Sequence, residues 1–181
     1  MRIISGKYKG KRLNAPKNLP VRPTTDMAKE ALFNILYNRY DFDEIIVCDL
    51  FAGTGNISFE FASRGTNKIT SVDQNSGCIH YMNKIDKELN LNLSVVKSEV
   101  FRYLDKTHQT FDVIFADPPY DLPQADFQKL VLTVFKKDLL NENGLLIVEH
   151  AKQTDLSLMP NFVQIKTYGS NCFSFFSADE E

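Results

Sequence analysis

Between residues 45 and 149, short apolar runs alternate with stretches whose apolar positions return every three to four residues. The runs at 45–50, 69–73, 93–97, 111–117 and 145–149 have the length and composition of strands covered on both faces. The stretches at 56–64, 76–89, 99–104 and 124–135 read as helices; in the second, Ile79, Met82 and Ile85 fall on one face. A strand that reaches the next strand through a helix must run parallel to it, so the pattern predicts an α/β fold with helices on both faces of a mostly parallel sheet. Thr24, Thr25 and Asp26 can cap a further helix at 25–39, ahead of the first strand. Runs at 163–168 and 172–177, joined by Gly169, Ser170 and Asn171, predict a closing hairpin, which adds antiparallel pairing at one edge. In such sheets ligands sit beyond the carboxyl ends of the strands. The residues that end each strand are therefore the first candidates for a site.

Composition restricts the class of molecule. With 181 residues, 43% of them hydrophobic and 24% charged, the chain suits one domain and excludes collagen-like, mucin-like and disulfide-miniprotein scaffolds. No apolar run approaches a membrane span, and the first residues lack the apolar core of a secretory signal. Cys48, Cys78 and Cys172 have neither metal nor redox spacing, and their odd number suits a reducing cytoplasm. No metal site is expected. His80, His108 and His150 are scattered, and read as surface or packed side chains.

Charge is unevenly distributed. Residues 1–22 hold Arg2, Lys7, Lys9, Lys11, Arg12, Lys17 and Arg22 and no acid, while the other 159 carry 14 basic and 23 acidic side chains. A basic arm on an acidic body suits a grip on a polyanion such as RNA. Gly6, Tyr8 and Gly10 interleave with the lysines, and the arm is expected to form a small two-stranded ribbon. The chain is thus expected to divide into an arm, 1–22, and a main domain, 23–181.

Three strand ends carry chemistry, and a fourth completes them. The first run ends in Asp49-Leu50-Phe51-Ala52-Gly53-Thr54-Gly55. The two glycines allow a tight turn and close approach of a ligand. Ser58 stands where a dinucleotide fingerprint has its third glycine, and a carboxylate at Asp49 favours a cationic amino group over a pyrophosphate. The second run ends in Asp73, 24 residues after Asp49, where an acid can accept both hydroxyls of a ribose. The third runs into Ser98-Glu99-Val100, able to read an adenine amino group. The fourth ends in Asp117-Pro118-Pro119-Tyr120. Successive prolines fix the backbone and lack N–H groups, so the Pro118 carbonyl and the Asp117 carboxylate can converge on one exocyclic amine. Tyr120 offers a ring on which a base can stack.

In this order, Asp49 with its glycine loop, Asp73 and Asp117-Pro118-Pro119-Tyr120 resemble the Rossmann-like class of S-adenosylmethionine-dependent amino methyltransferases. Arg22-Pro23-Thr24-Thr25-Asp26, Lys29-Glu30-Ala31-Leu32-Phe33-Asn34, Ser63-Arg64-Gly65, Val148-Glu149-His150 and Tyr168-Gly169 narrow the resemblance, over nearly the whole chain, to the RsmD family. That family methylates the N2 amino group of a guanine in 16S ribosomal RNA. The resemblance implies a seven-stranded sheet, S-adenosylmethionine as cofactor, the small ribosomal subunit as partner, and a monomer. It assigns Asp49, Phe51, Ala52, Gly53, Thr54 and Gly55 to the methionine moiety, Asp73 and Gln74 to the ribose, and Ser98, Glu99 and Val100 to the adenine. It assigns Asp117, Pro118 and Tyr120 to the target base, and leaves Arg22 and Thr25 between RNA and cofactor. Glu99 departs from the family's usual Asp, and Asn56-Ile57 from its usual small residues. Alternatives are methylation of adenine N6 in DNA or RNA, of a glutamine amide (where Asn usually replaces Asp117), or an RNA-binding module without catalysis.

Overall fold

The computed structural model describes residues 1–19 and 24–178; Arg22 lies outside them. In chain order the elements are α1 (Asp26–Tyr37), β1 (Ile46–Leu50), α2 (Asn56–Ser63), β2 (Lys68–Asp73), α3 (Ser76–Leu89), β3 (Leu93–Lys97), α4 (Val100–Lys106), β4 (Phe111–Ala116), α5 (Gln124–Lys136), β5 (Leu140–Ala151), β6 (Phe162–Tyr168) and β7 (Asn171–Phe176). The seven strands lie in the order β3-β2-β1-β4-β5-β7-β6. Strands β1 to β5 are parallel, and β7 runs antiparallel to both β5 and β6. Strand order reverses between β1 and β4, which opens a crevice at their carboxyl ends. Among the described residues no helix is long and apolar enough to cross a membrane.

The sheet is covered on both sides. Phe127, Leu130, Val131 and Val134 of α5 and Val100 and Leu104 of α4 bury one face; Ala28, Leu32, Phe33 and Leu36 of α1 with Ile57 and Phe61 of α2 bury the other. This is why the central strands read as continuous apolar runs. Helix starts follow their caps: Thr25 Oγ1 accepts from Ala28 N, and Asn75 Oδ1 from Gly77 N and Cys78 N.

One strand is longer than its sequence suggests. The apolar run starts only at Leu145, after the polar stretch Asn141-Glu142-Asn143-Gly144, yet β5 begins at Leu140, opposite Phe111. A bulge absorbs the extra residues before Val113 meets Leu145, with Asn143 at φ 60°. Asp112 pins it, one carboxylate oxygen accepting from Asn141 Nδ2 (2.9 Å) and the other from Ile46 N (2.7 Å).

The arm forms a minimal ribbon, with one antiparallel bridge, Arg2 to Arg12, flanked by Ile3 N→Lys11 O and Gly10 N→Ile3 O. It is anchored to the body by its backbone. Ile4 N and Ser5 N donate to the two oxygens of Glu60 (2.8 and 3.0 Å), Lys7 N to Ser63 O and Tyr8 N to Ser63 Oγ. Ile3 and Leu13 are buried among Phe59, Tyr81 and Met82. Gly6 makes this approach possible: at φ +81°, a Cβ there would lie 1.9 Å from Ser63 O.

Under the arm lies a buried ion pair. Lys29 and Glu60 are both fully buried, with Nζ 3.2 Å from Oε2; Lys29 also donates to Arg2 O (2.7 Å) and Asn56 Oδ1 (2.8 Å). Burial lowers the proton affinity of the Lys29 amine, and Glu60 opposes that fall. Removing one partner of such a pair strands the other charge. Lys29→Met is therefore expected to cost about 3 kcal/mol, the low end for a broken buried pair because Arg64 Nε also reaches Glu60 (2.9 Å). Urea denaturation measures it.

Candidate active site

The strand ends named above converge on one cavity of about 1060 Å³. Its walls include Asp49, Phe51, Ala52, Gly53 and Thr54 from the loop after β1, and Asp73 and Gln74 after β2. Glu99 and Val100 lie at the start of α4, and Asp117, Pro118 and Tyr120 after β4. Gly55 and Ser98 are absent from the wall. Gly55 caps α2 at φ 81°, where a Cβ would press on Phe59 and Met82, and the Ser98 hydroxyl donates to Glu99 O.

The loop after β1 owes its shape to left-handed backbone at Phe51 (φ 58°), Gly53 and Gly55. A phenylalanine there is strained, and such strain persists only where the surroundings over-determine it. Ala52 N donates to Val72 O (3.0 Å), and Gly53 N to Asp73 Oδ2 (2.8 Å). Asn75 N donates to the other Asp73 oxygen (2.7 Å). Two backbone donors thus aim the Asp73 carboxylate, each oxygen keeping acceptor capacity for a diol. Glu99 caps α4 through Phe101 N and Arg102 N while bordering the cavity.

Asp49 is 1% exposed, and its Oδ2 accepts from Ser58 Oγ and Ser58 N. Burial pushes its carboxyl up to about 7, against the Ser58 bonds and with the help of Asp73. Among the described residues it has no cationic partner, so a buried acid faces a cavity that supplies no counter-charge. Asp117 is pushed well above the ordinary carboxylate range by burial, then by Glu149 and Asp49. Pro118 beside it is buried, and Tyr120 stands at the rim, half exposed.

Several residues of the site escaped the sequence reading. Thr24, Asn56, Ile57, Asn75, Cys78 and Phe115 also line the cavity. Glu149 lies behind Asp117, accepting from Thr24 Oγ1 (2.7 Å) and Asn171 Nδ2 (2.6 Å). Its place at the end of a strand was the signal that could have found it. His150 instead packs away from the crevice, bonded to Ser174 Oγ and Ala151 O. Among the described residues no group of His, Cys, Asp and Glu could hold a metal ion.

The family model described as Conserved hypothetical protein 95 matches residues 1–177. The chain belongs to this family, the RsmD family of S-adenosylmethionine-dependent methyltransferases. YlbH of Bacillus subtilis is 33% identical over 161 residues, covering 86% of this chain and 85% of that protein. Ribosomal RNA small subunit methyltransferase D of Haemophilus influenzae is 28% identical over 180 residues, covering 97% and 91%. Among solved structures, a hypothetical protein of Thermus thermophilus superposes with a TM-score of 0.85 at 26% identity, covering 98% and 99%. The chain is thus an S-adenosylmethionine-dependent methyltransferase with the seven-stranded sheet and antiparallel hairpin of Rossmann-like methyltransferases.

The cavity suits that cofactor. The unpaired buried acid at Asp49 meets the need of a cationic amino group, the Asp73 carboxylate offers acceptors for a ribose diol, and Val100 provides apolar wall for a purine.

Proposed function

We propose that this methyltransferase acts on the exocyclic N2 amino group of a guanine in 16S ribosomal RNA of the small ribosomal subunit. The observation that carries the reading is the corner after β4, where Asp117, Pro118 and Tyr120 border the same cavity as Asp49 and Asp73. The name of the Haemophilus influenzae relative supports the choice of ribosomal RNA. An enzyme with this substrate works in the cytoplasm. Every group invoked comes from one chain, so a monomer suffices.

Asp49, with Phe51, Ala52, Gly53 and Thr54, holds the methionine moiety on a loop that Gly55 shapes; Asp73 and Gln74 hold the ribose; Glu99 and Val100 border the adenine, Ser98 only preceding them in the chain. When bound, the cofactor supplies a methyl group on a sulfonium, an electrophile with a neutral leaving group. Asp117 Oδ and Pro118 O accept the two hydrogens of the target amine, directing the nitrogen lone pair out of the base plane. Tyr120 stacks on the base. Positioning of this kind provides most of the acceleration. A paired, stacked guanine cannot reach the corner, so the target base must be unpaired or extruded.

The test is transfer of labelled methyl to small ribosomal subunits from a strain lacking the enzyme, followed by mass spectrometry of the nucleosides. N2-methylguanosine is the expected product. Label confined to DNA adenine or to protein would refute the substrate.

The arm residues Arg2, Lys7, Lys9, Lys11, Arg12, Lys17 and Arg22 supply phosphate contacts in this reading. Replacing Lys7, Lys9 and Lys11 together by Ala should weaken RNA binding and flatten its salt dependence. Lys11 already pairs with Glu88 (3.0 Å), so the slope of log K against log salt should fall by little more than the two charges of Lys7 and Lys9, about 1.5. Binding titrations at several salt concentrations measure it, and an unchanged slope removes the arm from the RNA interface.

A further inference from the structure

Glu149 on β5 is a buried acid, 2% exposed, that holds neither cofactor nor target base. The parallel register pairs Ala116 with Val148, and Asp117 and Glu149 are the residues that follow them on the two neighbouring strands. Both Glu149 oxygens are occupied by donors, Thr24 Oγ1 and Asn171 Nδ2. No described donor reaches the Asp117 carboxyl. Thr24 is itself fixed, its carbonyl accepting from Asn56 Nδ2 (3.2 Å).

We propose that Glu149 is a positioning residue for methyl transfer: it acts through Asp117, keeping that carboxyl basic enough to take the proton the methylated amine must lose. The inference rests on the amino-group reading above. As the N–CH3 bond forms and the S–CH3 bond breaks with its electron pair on sulfur, the nitrogen becomes positively charged. An N–H bond then breaks, its pair returns to nitrogen, and the proton passes to Asp117 Oδ and later to solvent. Asp117 must be ionised to accept it, and the amine N–H that it accepts favours that form.

The charges around the pair fit this division of labour. Burial raises Asp117 most, and the charges of Glu149 on β5 and then of Asp49 on β1 add to it. Glu149 is raised by burial too, but its two donors oppose the rise. From the segment before α1 it meets Thr24, from β7 Asn171, neither of which titrates, and His150 is bonded elsewhere. Where such neighbours compete for a proton, Asp117, which no described donor reaches, takes it in preference to Glu149 with its two donors.

The test uses Glu149→Gln in the full chain, with two readouts. Without cofactor, carboxyl-carbon NMR should show the Asp117 midpoint falling by about one pH unit or more. In single-turnover methylation of small subunits, the acid limb of the rate should move down with it. The plateau should drop by roughly 3- to 10-fold for each unit of basicity lost, as Brønsted behaviour gives for a weakened proton acceptor, with KM for the subunits and cofactor Kd little changed. Should Glu149→Gln not fold, Thr24→Val removes one donor from Glu149, draws the proton towards it and should move the Asp117 midpoint the same way. An Asp117 midpoint and acid limb unmoved in a folded variant overturn the proposal. If the wild type methylates no subunit, the function reading fails instead, and the NMR titration still decides whether Glu149 governs Asp117.

Discussion

Replacing Asp117 by Ala should slow methyl transfer by about 10²–10³-fold, the loss typical of removing an acceptor that orients the reacting group. Cofactor affinity should barely change, because Asp49 and Asp73 stand on other strands. Stability should not suffer. A carboxyl pushed far above its ordinary range by burial and two neighbouring acids prefers its proton in the folded state. Its contribution to stability is largest at low pH and is lost as pH rises from the ordinary carboxylate range toward the raised value. Alanine removes that penalty, so at pH 8 the variant should melt no lower than the wild type. Isothermal titration with cofactor, single-turnover methylation and a melting curve together check this. A variant that still transfers methyl at near wild-type rate would remove Asp117 from the mechanism.

Asp49→Asn should produce the opposite pattern: a protein sound on its own that has lost its grip on the cofactor. Asp49 titrates at about 7 in the folded chain against 3.8 unfolded. Folding therefore favours its protonated form, and stability falls as pH climbs between those two values, by at most roughly 4 kcal/mol. A cationic amino group beside the carboxylate reverses the balance, since it binds the ionised form. Cofactor affinity in the wild type should accordingly strengthen as pH rises through about 7 and level off above it. Asn cannot ionise, so the variant should bind about 100-fold more weakly at pH 8, a loss in line with a stranded charge pair. Its affinity should vary little between pH 6 and 8, and without cofactor it should melt higher than wild type at pH 8. Calorimetric Kd values across that range decide the matter; a wild-type affinity flat in pH would mean that the amino group lies elsewhere.

Much of the site was legible because it lies where topology puts it. Asp49, Asp73 and Asp117 each follow a short apolar run, and parallel strands deliver such residues to one edge whatever the helices between them do. Gly53, Gly55 and Pro118 declare their backbone geometry by residue type. What stayed hidden depends on distance in sequence or on side-chain direction. The neighbourhood of Asp117 and Glu149 requires the β4–β5 register, which the bulge at Asn141–Gly144 obscures. The Lys29–Glu60 pair joins two helices across a strand, and nothing in either helix marks a charge as buried. Ser98 shows the converse: its position is the expected one, but its hydroxyl serves its own turn. At the ribbon, alternation of lysine with glycine and tyrosine revealed the strand character of residues near Arg2 and Arg12, but not the surface they rest on.

That resting surface separates two properties usually bound together. The ribbon is fastened by main-chain N–H groups of Ile4, Ser5, Lys7 and Tyr8 and by the apolar side chains of Ile3 and Leu13. The side chains of Lys7, Lys9, Arg12 and Lys17 take no part in the fastening and point their charge outward. Drift at those four positions can retune affinity for a polyelectrolyte while leaving the scaffold untouched, whereas a single methyl group gained at Gly6 would lift the whole ribbon from its seat.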